Sequence, residues 1–160
     1  LSTMTTDNSL PAWTKWALAG AVVALVGLGI AYEEMDIERH VPLEKMPPEA
    51  RGFVETNFGG QKVVLSKKEQ ELFCKEYEVI LDGGTKIKFD RKGRWTKVDC
   101  KYGALPMGIL PARVERFLQT EYAGGIVTEA KRKGSRLKVE IDDRMELTFD
   151  RNDNLVGFDD

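Results

Sequence analysis

Hydrophobic positions follow two regimes along the chain. Ala17 to Tyr32 is an uninterrupted run of 16 residues without a charge, whereas beyond it apolar and polar side chains alternate. Counted from Trp13 the first stretch has 20 residues, about 30 Å as a helix and enough to match a bilayer core. It predicts an N-terminal hydrophobic helix, with two readings. One is a signal peptide with Ala17–Ile30 as its apolar region and a small-residue site at Gly29-Ile30-Ala31, cut before Tyr32. The other is an uncleaved anchor, with Trp13 and Trp16 at one rim and Tyr32 at the other. Glu33, Glu34, Asp36 and Glu38 follow with no basic cluster to hold that side in the cytoplasm. Either way the remainder is expected to be exported. Residues 33–45 read as a charged tether, with the folded part starting near Val41.

The later region contains an internal repeat. MPPEARGFVETNF (Met46–Phe58) returns as LPARVERFLQTEY (Leu110–Tyr122), and KEYEVILDGGTKIKFDRKGRWTKVD (Lys75–Asp99) returns as SRLKVEIDDRMELTFDRNDNLVGFD (Ser135–Asp159). Residues 46–101 and 102–160 are therefore two copies of one unit. Each opens with a helix, Pro47–Phe58 and Pro111–Tyr122. Proline is tolerated at the start, where an N–H has no partner to lose, and Phe53, Val54 and Phe58, or Phe117, Leu118 and Tyr122, then recur at helical spacing. Gly59-Gly60 and Gly124-Gly125 end the helices.

Four strands follow each helix. A three-residue loop at Asp82-Gly83-Gly84 sets like against like, Tyr77 opposite Phe89 and Val79 opposite Ile87; the same register in the second copy pairs Leu137 with Phe149 and Val139 with Leu147. A turn at Arg91-Lys92-Gly93 then brings Trp95 beside Phe89. A shorter strand, Lys62–Ser66 or Ile126–Lys131, precedes each meander. Tyr77, Val79, Leu81, Ile87, Phe89 and Trp95 face the helix, and Glu76, Glu78, Lys86, Lys88, Arg94 and Thr96 face water. Units of about 55 residues are marginal alone, so the two sheets are expected to merge. The fold class is α+β: two tandem helix-plus-four-strand repeats forming one antiparallel sheet with the helices on one face. The helix-free face is the expected protein-binding surface, centred on Lys86, Lys88, Arg94, Thr96, Val98, Thr148, Val156 and Phe158. It mixes charge with scattered apolar groups.

The tandem Met/Leu-Pro helices, the EYEVILDGGTKIKFDRKGRW meander followed by Val98-Asp99-Cys100, and the second copy ending in Phe-Asp-Asp resemble the bacterial PepSY-like family, whose fold is shared with the β-lactamase inhibitor protein. The resemblance covers Val41–Asp160. It implies a domain exported to the periplasm or cell surface, with no enzymatic activity established for the family. Related modules are associated with binding or restraining peptidases, and the inhibitor protein uses its open sheet face against its target.

Composition narrows the chemistry. The chain has 160 residues with 26 acidic and 24 basic side chains, a net charge of −2 that argues against a nucleic-acid partner. One His (His40, in the tether) and four Ser leave little from which nucleophilic or zinc chemistry is assembled. No catalytic residue, metal site or cofactor is expected. Asp150, Asn152 and Asn154 have the spacing that begins an EF-hand loop, but Leu155 stands where that loop needs glycine, and the residues read as turn formers. Cys74 and Cys100 are expected to be free thiols, about 26 Å apart along the meander at ~3.3 Å per residue. The function expected is a non-enzymatic module that binds an unidentified protein, inhibitory toward an envelope or secreted enzyme such as a peptidase. The alternative is a structural or sensory envelope component held in the inner membrane by Trp13–Tyr32.

Overall fold

In a computed structural model of the chain, the described residues are 39–70 and 75–160. The expected signal or anchor helix, the tether up to residue 38 and Cys74 lie outside them. Among the described residues, no helix is long and apolar enough to cross a membrane.

The elements are β1 (Arg39–His40), a 3-10 turn (Leu43–Lys45), α1 (Pro48–Phe58), β2 (Val63–Gln70), β3 (Lys75–Leu81), β4 (Lys86–Phe89), β5 (Trp95–Asp99), α2 (Ala112–Glu121), β6 (Val127–Lys133), β7 (Arg136–Ile141), β8 (Met145–Phe149) and β9 (Leu155–Asp159). All nine strands pair antiparallel in sequence order to form one sheet. Short turns allow only this kind of neighbour pairing. The hairpin registers are those that like-with-like pairing requires: Tyr77↔Phe89 and Val79↔Ile87, then Leu137↔Phe149 and Val139↔Leu147, sixty residues on. The two meanders join where β5 meets β6, at Lys97↔Lys131, Val98↔Ala130 and Asp99↔Glu129.

Directly opposed residues share a face of the sheet. One row therefore crosses it through Ser66, Val79, Ile87, Val98, Ala130, Val139, Leu147 and Phe158. All but Phe158 are buried. Both helices pack on this side. Phe53 of α1 meets Phe89 edge-on at 5.7 Å, and Phe117 of α2 meets Phe149 edge-on at 5.7 Å. Ala50, Val54 and Phe58 of α1, with Val114 and Leu118 of α2, join the same core as the sheet residues. Helices of 11 and 10 residues are too short to be stable alone, so this burial holds them in place. The helices begin behind Pro47 and Pro111, which have nearly the same backbone angles, φ −51° and −54° with ψ near 139°.

Two expectations need correction. Residues 39–45 are part of the fold and do not behave as a tether. Arg39 and His40 pair with Lys68 and Lys67, the Val41 N–H donates to the Ser66 carbonyl, and the Ser66 hydroxyl donates back to the Val41 carbonyl at 2.6 Å. The reason is that the repeat starts earlier than residue 46. Val41-Pro42-Leu43, with Met46-Pro47, matches Leu105-Pro106-Met107, with Leu110-Pro111, and Met46 and Leu110 are both buried.

The second correction concerns the last strand of each meander. Trp95 lies opposite Phe89 but Lys97 opposite Lys88, and Leu155 lies opposite Phe149 but Gly157 opposite Thr148. Thr96 and Val156 are thus the extra residues of two β-bulges. A bulge shifts the alternation by one residue and moves every later side chain to the other face. Val98 consequently points under the helices and is 0% exposed, a burial that stabilises by about 1.5–3 kcal/mol. Phe158 likewise belongs to the helix-covered side, at its rim.

Candidate protein-binding surface

The bulges change what the helix-free face carries. Beyond Thr96, Lys97 and Asp99 take the positions that strict alternation gives to Thr96 and Val98. Cross-strand pairing then assembles a row of carboxylates on five consecutive strands: Asp99, Glu129, Glu140, Glu146 and Asp159. Beside it runs a row of amines on four strands, Lys88, Lys97, Lys131 and Lys138. No helix covers either row.

The rows are tied together along their shared border. Lys97 lies 2.8 Å from Glu129 and 3.7 Å from Asp99, and Lys138 pairs with Glu146. On the β2 side, Lys67 and Lys88 alternate with Glu69 and Glu78 at 2.9–3.7 Å. Burial opposes ionisation of Lys88, yet the Glu69 carboxylate raises its pKa above the usual lysine value. Glu140 has the opposite surroundings. Partial burial, then Glu129, Asp143, Asp99 and Glu146, push its carboxyl above the usual carboxylate range. The centre of the face is thus over-supplied with negative charge, and a cationic group brought to it would relieve that repulsion.

Of the residues expected on this face, Lys86, Lys88 and Thr148 are there. Val98 is buried on the other side and Phe158 lies at the edge of that side. Thr96 and Val156 are the bulge residues. Arg94 is held in the preceding turn, where its guanidinium lies 2.7 Å from Asp90. The carboxylate row was missed because its members are far apart in sequence and converge only once both bulges and the β5–β6 register are known.

The Asp150 region is a turn. Asp150 Oδ1 accepts the backbone N–H groups of Asn152 at 2.8 Å and Asn154 at 3.0 Å. Asp90 does the same with Lys92 and Arg94. Because the first-copy turn has Lys and Arg where the second has Asn, the shared geometry comes from the aspartate as a turn former. The Asn154 N–H holds the Asp150 carboxyl below its usual pKa. Among the described residues, no group of three or more His, Cys, Asp or Glu is placed to hold a metal ion.

A recess of about 440 Å³ beside α2 is lined chiefly by apolar residues, among them Leu105, Met107, Leu118, Tyr122 and Ile126. Of its polar groups, Glu115 accepts the Gly108 N–H at 2.6 Å, and the Gln119 amide lies 3.8 Å from the Met107 sulfur. Nothing there combines a nucleophile with a base.

Residues 75–157 match the family described as "Putative beta-lactamase-inhibitor-like, PepSY-like". The chain belongs to this PepSY-like family. Solved structures agree with the assignment. A protein from Bacteroides thetaiotaomicron, provisionally described as a calcium-regulated periplasmic protein, is 35% identical with a TM-score of 0.75; the match covers 77% of this chain and 97% of that one. A provisionally described periplasmic protein from Bacteroides vulgatus is 31% identical with a TM-score of 0.75, over 79% of this chain and 99% of that one. A second B. vulgatus protein, provisionally described as periplasmic and of unknown function, is 25% identical with a TM-score of 0.72, over 78% and 99%. Among curated proteins no sequence matches the chain. The PepSY-like match begins at β3 and ends in β9, so it spans both meanders and the face between them.

Proposed function

We propose that this PepSY-like protein is a non-catalytic binding module of the bacterial envelope that docks a protein partner on the helix-free face of its sheet, in the manner of an inhibitor toward a secreted or envelope enzyme such as a peptidase. The observation that carries the reading is the pair of parallel charge rows, Asp99 to Asp159 and Lys88 to Lys138, on a face that no helix covers. An antiparallel sheet can present one face to solvent, and ordered rows of opposite charge favour a complementary surface in one orientation and suppress others. The inhibitor-like fold of the family supports protein binding over catalysis, and the periplasmic description of the similar structures supports an envelope location, with the Trp13–Tyr32 segment as export signal or anchor.

The test is capture from envelope extract by the intact protein and by two charge-reversal variants. The double change Lys86→Glu with Lys131→Glu alters exposed amines of the helix-free face; Arg116→Glu alters an exposed charge on α2. Loss of the captured protein with the first variant alone supports the reading. Equal capture by both, or loss only with Arg116→Glu, contradicts it.

A further inference from the structure

The outer edge of β9 ends the sheet among the described residues, and β5 supplies an internal comparison for what such an edge accepts. β9 repeats β5 residue for residue: Leu155, Gly157, Phe158 and Asp159 pair with β8 as Trp95, Lys97, Val98 and Asp99 pair with β4, with the bulge at the same place. Burial separates them. Trp95 is 7% and Val98 0% exposed, whereas Leu155 is 41% and Phe158 56% exposed. The difference is β6. It pairs with the outer edge of β5, sets Ala130 beside Val98 and lays the Arg132 guanidinium over the Trp95 ring, 4.0 Å from its centroid. β9 ends the sheet with no such neighbour among the described residues.

At the opposite end of the sheet the edge is protected, since β1 lies against β2. Among the described residues β9 has no equivalent strand, and it carries exposed Leu155, Val156 and Phe158. Unpaired backbone donors and acceptors beside apolar side chains form a template for strand addition.

Charge selects the occupant. At β5 the acidic residues Asp99 and Glu129 are balanced by Lys97 from within the chain. At β9 the position of Lys97 is held by Gly157, so Asp159 and the following Asp160 have no corresponding amine. We infer that β9 accepts an extended partner segment in which cationic residues alternate with apolar ones. The apolar side chains cover Leu155 and Phe158, and the cationic ones reach Asp159 from the helix-free side. A second copy of β9 lacks those cations and would bring two sets of carboxylates together. The site shares Asp159 with the carboxylate row of the helix-free face, but its backbone contacts lie along the outer edge of β9 and do not depend on a partner on that face.

The probe is the peptide Ac-Val-Lys-Phe-Lys-Val-Lys-Phe-NH2, offered to the full-length protein, with a block-ordered peptide of the same composition and a Glu-for-Lys version as comparisons. Hydrogen exchange locates binding and fluorescence anisotropy measures affinity. The alternating Lys peptide is expected to slow exchange in residues 155–159, to weaken with salt, and to bind Asp159→Lys about tenfold less tightly, while that variant gains affinity for the Glu peptide. Circular dichroism confirms that the variant is folded, and the inverted peptide preference cannot arise from unfolding. Absence of protection at 155–159, equal binding of the block-ordered peptide, or a dimer that already protects β9 without peptide would overturn the inference.

Discussion

Replacing Phe149 by alanine removes a side chain that is 1% exposed and sits edge-on against Phe117 of α2. Truncating a buried phenylalanine costs about 3–5 kcal/mol, of which the ring pair accounts for about 0.5–1.5. For a domain of this size, about 2–4 °C per kcal/mol gives a fall in Tm of roughly 10 °C. What makes the experiment informative is the location of the effect. Trp95 lies in the first meander, in the same continuous core as Phe149 but under α1. With Trp13 and Trp16 changed to Phe, Trp95 is the remaining tryptophan, and its fluorescence reports the first meander together with its contact to Arg132 of β6. One merged core requires that Phe149→Ala shift the Trp95 transition and the far-UV circular dichroism transition together. If the alanine variant fails to fold, Phe149→Leu, costing about 1 kcal/mol, makes the same comparison. A Trp95 transition that stays in place while part of the circular dichroism signal melts earlier would refute the single core.

Four further outcomes are expected. Glu140→Gln should stabilise the protein at neutral pH by about 0.5 kcal/mol, the scale of one like-charged cross-strand contact. Because the folded-state pKa of Glu140 is raised, the favourable contribution of its protonated form is lost as pH rises through that pKa. The gain from Gln should accordingly vanish on acidification, as urea titrations at several pH values will show. Gly93→Ala should destabilise by about 1–3 kcal/mol: Gly93 has φ +88°, and a Cβ there would lie 2.7 Å from Pro47 Cβ and 2.9 Å from the Ala50 nitrogen, at the start of α1. The equivalent Asp153 already tolerates φ +61°, so Asp153→Gly should change the urea midpoint little. Burial pushes the Cys100 thiol pKa up, only partly offset by its hydrogen bond with Thr85. In a Cys74→Ser background, Cys100 should react with a thiol reagent slowly in the native state and at once in denaturant; rapid native labelling would contradict its placement in the core.

Most of the architecture could be read from side-chain alternation, and the misassigned face residues have one physical source. Tyr77 against Phe89 and Leu137 against Phe149 follow from like residues opposed across short turns, and both pairs are present. Strict alternation broke down after Trp95 and after Leu155, because each bulge adds a residue, with a glycine beside it only in the second copy, at Gly157. The available signal was Val98 itself, an apolar residue placed among charges on the face assigned to water. That single displacement hid the carboxylate row, since Asp99 and Asp159 reach the helix-free face only through the bulges. The start of the folded part near Val41 was legible in the chain, where Val41-Pro42-Leu43 matches Leu105-Pro106-Met107, whereas the pairing of Arg39 and His40 with β2 was hidden among the charges between Glu33 and Lys45.

The most direct test of the docking face is site-specific photo-crosslinking in the cell envelope, with benzoylphenylalanine in place of Lys131 on the helix-free face or Arg116 on α2, both exposed positions. The account predicts a crosslinked partner from position 131 and none from position 116; a partner crosslinked from 116 alone would contradict it.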